Sequence, residues 1–280
     1  MSSPINTRDI AVGDVTFRLS ETGKGNDPQV VFLHGSGPGA DALSNWEWVI
    51  GELGDDIHCV APDIVGFGHS SHPEPPPDGL AAFSELRVDT LLALFDELGL
   101  EQVTLVGNSM GGLLSLMIAR ARPYMVKSMI LMGSAGGKAP MLDGLKNLIG
   151  FYRDPSTDAM EGLLRNFLHD PSIFGEDLRA IAEARLPNAL REEVRRSHIA
   201  TFSGNGPRAG LSMDDYSNLT MPVLLLHGDD DRVVSIDSSR WLAEQLPSSQ
   251  LEIFEATGHW LQIEQGERFV ARVRSFLQEV

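Results

Sequence analysis

Short apolar runs alternate along this chain with stretches whose apolar residues recur every three or four positions, and that alternation admits few folds. A short continuous apolar run reads as a strand buried on both faces, and such a strand needs helices above and below it. The runs predict strands at Val15–Leu19, Val30–Leu33, His58–Ala61, Val103–Val106, Ser128–Met132, Val223–Leu226 and Leu251–Phe254. Helical spacing appears in Trp46, Val49, Ile50 and Leu53, and again in Leu86, Thr90, Leu94 and Leu98. It returns in Trp241, Leu242, Gln245 and Leu246, and closes the chain in Phe269, Val273 and Phe276. The expected class is α/β, a mostly parallel sheet with helices on both faces.

Two segments break the rhythm. Ser71–Asp78 (SHPEPPPD) is proline-rich and reads as a surface loop of ordinary length between a strand and a helix. From residue 135 to 221 no strand pattern appears, only helical runs such as Met160–Leu168 and Asp177–Leu190. That is too much helix for a crossover, so residues 135–221 are expected to form a helical lid inserted into a core of residues 1–134 and 222–280. A chain of 280 residues suits one large domain with an insertion. It buries roughly three-quarters of its unfolded surface, so it needs no disulfide or structural metal. Cys59, the single cysteine, has apolar neighbours in IHCVAP and reads as a buried structural thiol.

Charge narrows the partners. Lys+Arg 22 against Asp+Glu 39 leaves a net charge of −17, which argues against nucleic acid or an anionic membrane. The N-terminal residues lack the apolar core of a signal peptide. The uncharged stretch Gln102–Ala119 has Gly107, Asn108, Ser109, Gly111 and Gly112 in its middle, which suits a buried strand-turn-helix rather than a membrane span. The expectation is a soluble cytoplasmic protein.

Gly107-Asn108-Ser109-Met110-Gly111 matches G-x-S-x-G directly after the strand VTLV and before the helical run LLSLMIAR. In that context the serine sits on a sharp turn that only small neighbours permit, its hydroxyl raised above the sheet. A serine needs a base, and the base a carboxylate to orient it. The acids Asp229, Asp230 and Asp231 follow one strand and His259 follows the next, in the order Ser, Asp, His and at the same sheet edge. The glycine-rich His34–Gly39 after another strand supplies flexible backbone for an oxyanion site, with the amides of Ser36 and Met110 as donors. Gly35–Ala40 also fits the dinucleotide fingerprint G-x-G-x-x-A, with Asp63 at the next strand end. An NAD(P)-binding dehydrogenase is therefore a competing reading, but it leaves Ser109, the acids and His259 without a role.

Over essentially its whole length the sequence resembles the α/β-hydrolase superfamily. HGSGPGADALSNW (His34–Trp46), GNSMGG (Gly107–Gly112), GDDDRVV and GHW look more narrowly like the meta-cleavage product hydrolases. The resemblance implies a Ser109–His259–Asp231 triad and cleavage of the C5–C6 bond of a 2-hydroxy-6-oxo-hexa-2,4-dienoate, without a cofactor. It implies further that Gly35, Gly37, Asn45, Asn108 and Trp260 line the site and that a lid arginine grips the dienolate. Arg191 is the expected match, with Arg185 the alternative on another helix face. Met213-Asp214-Asp215-Tyr216 departs from the family pattern, and its two acids are expected to bear on which acyl group is accepted.

The resemblance also changes the reading of the charge. Residues 135–221 carry 10 basic and 12 acidic side chains, so the negative surplus lies in the rest of the chain and lid arginines can still hold an anionic dienoate. Whether Ser109 forms an acyl-enzyme or activates water is open at this point, and a homo-oligomer is possible. A carboxylesterase or lactonase would use the same triad and turn over p-nitrophenyl esters faster than dienoates. A receptor-like binding protein on this fold would bind without turnover, and a haloalkane dehalogenase would carry Asp where this chain has Ser109.

Overall fold

The computed structural model describes residues 3–175, 177–204 and 210–280. One sheet runs in the order β1-β2-β4-β3-β5-β6-β7-β8. Its strands are β1 Asn6–Val12, β2 Val15–Thr22, β3 Gln29–Leu33, β4 His58–Pro62, β5 Val103–Asn108, β6 Val126–Met132, β7 Val223–Gly228 and β8 Ser249–Phe254. From β4 to β8 neighbouring strands are parallel, while β1 and β2 continue the sheet antiparallel. Side chains alternate across it. Val31, Leu33, Leu105, Met129, Leu131 and Leu225 enter one core, and Val30, Phe32, Val106, Ile130, Met132 and Leu224 enter the other.

Each apolar run lies inside an observed strand, and β1 is the strand they do not show. Only Val12 of β1 is buried, because this edge strand covers the sheet on one side and faces solvent on the other. Its charged residues serve the edge instead, with Arg8 paired to Glu21 and Asp9 to Arg18 across the β1–β2 ladder.

The helices are α1 Ala42–Leu53, α2 Leu80–Leu98, α3 Met110–Ala121, α4 Asp143–Gly150, α5 Thr157–Asn166, α6 Asp177–Ala189, α7 Glu192–Thr201, α8 Met213–Asn218, α9 Asp237–Gln245, α10 Leu261–Glu264 and α11 Gly266–Glu279. Trp46 of α1 packs with Phe269, Val273 and Phe276 of α11 on one sheet face, and α2, α3 and α9 cover the other. The buried stripe of α2 is Ser84, Arg87, Val88, Leu91, Leu94 and Phe95. It is rotated from the expected Leu86, Thr90, Leu94 and Leu98, of which only Leu94 is fully buried, because α2 packs against α3 and α7 as well as the sheet. Among the described residues no helix is long and apolar enough to cross a membrane, and Gln102–Ala119 divides between β5 and α3.

Helices α4–α8 all fall between β6 and β7, and most of them share a core of their own. Phe151, Met160, Leu164, Phe167 and Leu178 pack there against Val233 and Trp260 from the loops after β7 and β8. The proline-rich loop helps hold this layer down: His72 Nδ1 meets Ser197 Oγ at 3.0 Å, and the Gly79 amide after the loop donates to Ala200 at 2.9 Å. Cys59 is buried, and burial pushes its thiol well above the usual range.

Candidate active site

Ser109 stands between β5 and α3 with φ 56° and ψ −113°, a left-handed backbone that a non-glycine residue adopts only when its surroundings force it. They do so by close approach. A Cβ on Gly107 would lie 2.5 Å from the Gly111 carbonyl, and one on Gly111 would lie 2.1 Å from the Leu33 carbonyl. Only glycine at both positions lets the helix start this near the sheet. The Ser109 amide is anchored to Met132 O at 2.9 Å, and its hydroxyl has no hydrogen-bond partner among the described residues.

Of the three acids after β7, Asp231 is the one turned inward. Its Oδ2 accepts from His259 Nδ1 at 2.7 Å, and its Oδ1 accepts from the Val233 and Val234 amides at 2.8 and 2.9 Å. Asp230 pairs with Arg232 and His169 at the surface, and Asp229 accepts from the Thr257 amide. Burial alone would raise the Asp231 carboxyl, but His259 and His227 beside it hold it well below the carboxylate range. His227, on β7, escaped the sequence reading. Its Nε2 donates to Val234 O at 2.9 Å and lies 3.3 Å from Asp231 Oδ2, while Nδ1 accepts from Ser239 at 2.7 Å. Gly133, after β6, also went unread. A Cβ there would stand 3.0 Å from both Asp231 Oδ2 and His259 Nδ1.

The loop after β3 faces this pair. His34 Nδ1 donates to Gly35 O at 2.8 Å and Nε2 accepts from the Ile64 amide at 3.0 Å, with burial pulling the ring down to about 4. The ring is therefore neutral at pH 7 and both its nitrogens are used in shaping the loop. The amides of Ser36 and Met110 have no acceptor among the described residues, which leaves two donors free near Ser109. Asp63 cannot serve a ribose hydroxyl. It is buried, accepts from the amides of Ala42 and His69 at 2.8 Å each, and burial raises it to about 6.

Gly35, Ser36, Asn45, Asn108, His259 and Trp260 line one small cavity of ≈ 10 Å³, closed by Ala40, Phe167 and Arg185. A Cβ on Gly35 would touch Ser109 Cβ at 3.2 Å, so the serine lies directly behind that wall. Gly37 is outside the lining, beneath the Arg185 guanidinium. Of the two arginines that the sequence offered, Arg185 and not Arg191 lines the cavity. Arg191 bonds Glu193 Oε1 at 2.7 Å, Gly68 O at 2.8 Å and Asn188 at 3.1 Å, away from the cavity. Arg185 has no carboxylate partner among the described residues. Its Nε donates to Pro38 O at 2.8 Å, its guanidinium lies 5.7 Å from the Trp260 ring centroid, and burial lowers it to about 10, still protonated at neutral pH.

Among the described phenylalanines between β6 and β7, Phe167 reaches the cavity, while Phe151, Phe174 and Phe202 pack within the helical layer. Asp214 and Asp215 also stand apart from it. Asp215 closes a capping box with Ser212 at the start of α8, and Tyr216 turns its hydroxyl onto Gly136 O.

A model of the α/β-hydrolase fold matches residues 28–265. The chain is 35% identical to the 2-hydroxy-6-oxo-2,4-heptadienoate hydrolase of Pseudomonas putida, over 96% of this chain and 95% of that one. It is 34% identical to the 2-hydroxymuconate semialdehyde hydrolase of a Pseudomonas species, over 99% and 96%. This chain belongs to the α/β-hydrolase family, and within it to the meta-cleavage product hydrolases. The solved structure of 2-hydroxy-6-oxo-6-phenylhexa-2,4-dienoate hydrolase from Rhodococcus superposes with a TM-score of 0.94 at 31% identity, covering 99% of this chain and 100% of that one. Members of this family are serine hydrolases, and Ser109 occupies the elbow on which that chemistry depends.

Proposed function

We propose that this enzyme adds water across the C5–C6 bond of a 2-hydroxy-6-oxo-hexa-2,4-dienoate, releasing 2-hydroxypenta-2,4-dienoate and a carboxylic acid. The observation that carries the reading is the cavity: Arg185, without a carboxylate partner among the described residues, and His259 both line it, and Ser109 lies behind its Gly35 wall with the free amides of Ser36 and Met110 beside it. Arg185 pairs with the substrate carboxylate, and Asn45 and Asn108 border the 2-oxygen. In the first stage a proton leaves the 2-hydroxyl and C5 gains one, with His259 as carrier. Ser109 Oγ then adds to C6 as His259 takes its proton, and the amides of Ser36 and Met110 receive the oxyanion. The C5–C6 bond breaks, its electron pair moves onto the 2-oxo oxygen, and that oxygen takes the proton from His259. Water then gives a proton to His259, attacks the acyl group and releases it as Ser109 regains the proton. Residues 135–221 act as the lid that keeps this chemistry away from bulk solvent. No cofactor enters any step.

The 35%-identical relative from Pseudomonas putida is named for a 6-oxo-heptadienoate, whose C6 carries a methyl group. That likeness, with the rings of Phe167 and Trp260 narrowing the cavity, supports a methyl-sized rather than a phenyl-sized C6 substituent. Spectrophotometric bleaching of dienoates with methyl, isopropyl and phenyl groups at C6 tests this, with p-nitrophenyl acetate as the ester control. The methyl compound should give the highest kcat/KM, and faster turnover of the ester would make the enzyme a carboxylesterase. Ser109→Ala should still bind the coloured dienolate while losing at least about 10³-fold in turnover. Unchanged bleaching by that variant would remove Ser109 from the mechanism.

A further inference from the structure

Arg87 is wholly buried on α2, yet among the described residues no carboxylate pairs with it. An unpaired buried charge is costly. The guanidinium is packed between the rings of Phe83 and Phe67, with centroids 4.1 and 4.8 Å away. Each nitrogen has a separate target. Nε donates to Val65 O at 3.1 Å, Nη2 donates to Thr201 Oγ1 on α7 at 3.0 Å, and Nη1 lies 3.4 Å from Met110 Sδ. Phe67 in turn meets His34 edge-on at 5.2 Å, and His34 shapes the Gly35–Ser36 backbone through its bond to Gly35 O.

One side chain thus touches the Met110 side chain directly, reaches the Gly35–Ser36 backbone through the rings of Phe67 and His34, and ties both to the lid helix α7. We propose that Arg87 is a positioning residue for the reaction. It holds the Met110 and Ser36 amides in place under the closed lid and directs an uncompensated positive charge toward the oxyanion they receive. The titratable neighbours that face it are His34 from the loop after β3 and His198 from α7. Both are neutral at pH 7, so neither cancels nor duplicates its charge. The inference rests on the oxyanion role given above to Ser36 and Met110.

Phenylboronic acid provides a probe that separates the two readings. It takes the Ser109 oxygen, passes the serine proton to His259, and becomes a tetrahedral anion at the oxyanion position. Ser109→Ala should abolish its binding; retained affinity there would overturn the serine reading whatever Arg87 does. In Arg87→Met, boronate affinity and kcat should each fall by about 10-fold or more, with KM for the dienoate changed by less than about threefold. Arg87→Lys, which keeps the charge, should recover most of the boronate affinity. If Arg87→Met fails to fold, Arg87→Gln makes the same measurement with donors retained and charge removed. A folded Arg87→Met or Arg87→Gln with wild-type kcat and boronate affinity would overturn the proposal while leaving the serine mechanism intact.

Discussion

His227 illustrates how much of a catalytic group's behaviour is set by a neighbour that never meets the substrate. Its Nε2 proton is shared between Val234 O and the carboxylate that orients His259. Each donor on a carboxylate draws charge from the others, so losing this one strengthens the Asp231–His259 bond and loosens the carboxylate. His227→Phe should move the acid limb of the kcat/KM profile to higher pH and lower kcat by about 10-fold, with KM unchanged. His227→Gln, which can place an amide N–H where Nε2 stands, should restore the profile. A pH–rate series on the three proteins decides it, and identical limbs in all of them would confine His227 to packing.

The helical layer shows the same division of labour between two arginines six residues apart. Arg185, inside α6, meets the cavity; Arg191, just before α7, is spent on Glu193, Gly68 and Asn188. Arg185→Met should therefore raise KM for the dienoate by about 10-fold or more, since a charge-assisted contact to its carboxylate is lost. Arg191→Met should leave KM within about threefold but lower the melting temperature, because it releases the contact from α7 to the loop after β4. Steady-state kinetics and thermal melts on both variants distinguish them; the opposite pattern would return the gripping role to Arg191. The helical spacing of this segment was legible in the chain. Which of its faces met the cavity was not, because that depends on how α6 sits against the Gly37–Gly39 backbone, far away in sequence.

Taken as a whole the protein responds to pH through buried groups rather than through its surface charge. His34 and His198 are held near pKa 4 by burial, well below 6.5. Between those values the unfolded chain binds more protons than the folded one, so stability falls as pH drops from 6.5 toward 4. Asp63 works the other way, since a carboxyl raised to about 6 stays protonated in the fold where the unfolded chain has ionised it. Two histidines outweigh one aspartate. The melting temperature at pH 5 should lie several degrees below that at pH 7.5. His198→Phe should narrow the gap because it removes one of these depressed histidines, while a ring can keep the contacts to Tyr152 and Phe202 and takes away a buried Nε2 that has no partner among the described residues. Melts at the two pH values test this, and an unchanged gap in the variant would exclude His198 as a source.

Much of this architecture is local in origin and was readable for that reason. A run such as Val103–Val106 carries its own periodicity, and Gly107 and Gly111 allow the tight turn around Ser109 within five residues. The loops after β7 and β8 place an acid and a histidine at one sheet edge because every strand from β3 to β8 points the same way. Strand β1 escaped because half-solvated edges carry weak apolar patterns. His227 against Asp231, Gly133 beneath the Asp231–His259 pair, Arg185 rather than Arg191, and Arg87 beneath Met110 escaped for a different reason. Each depends on the packing of segments distant in the chain, and a side chain's direction is settled only when both surfaces are in place. The order of the chemical groups is written along the chain; the identity of the groups that hold them is a product of packing.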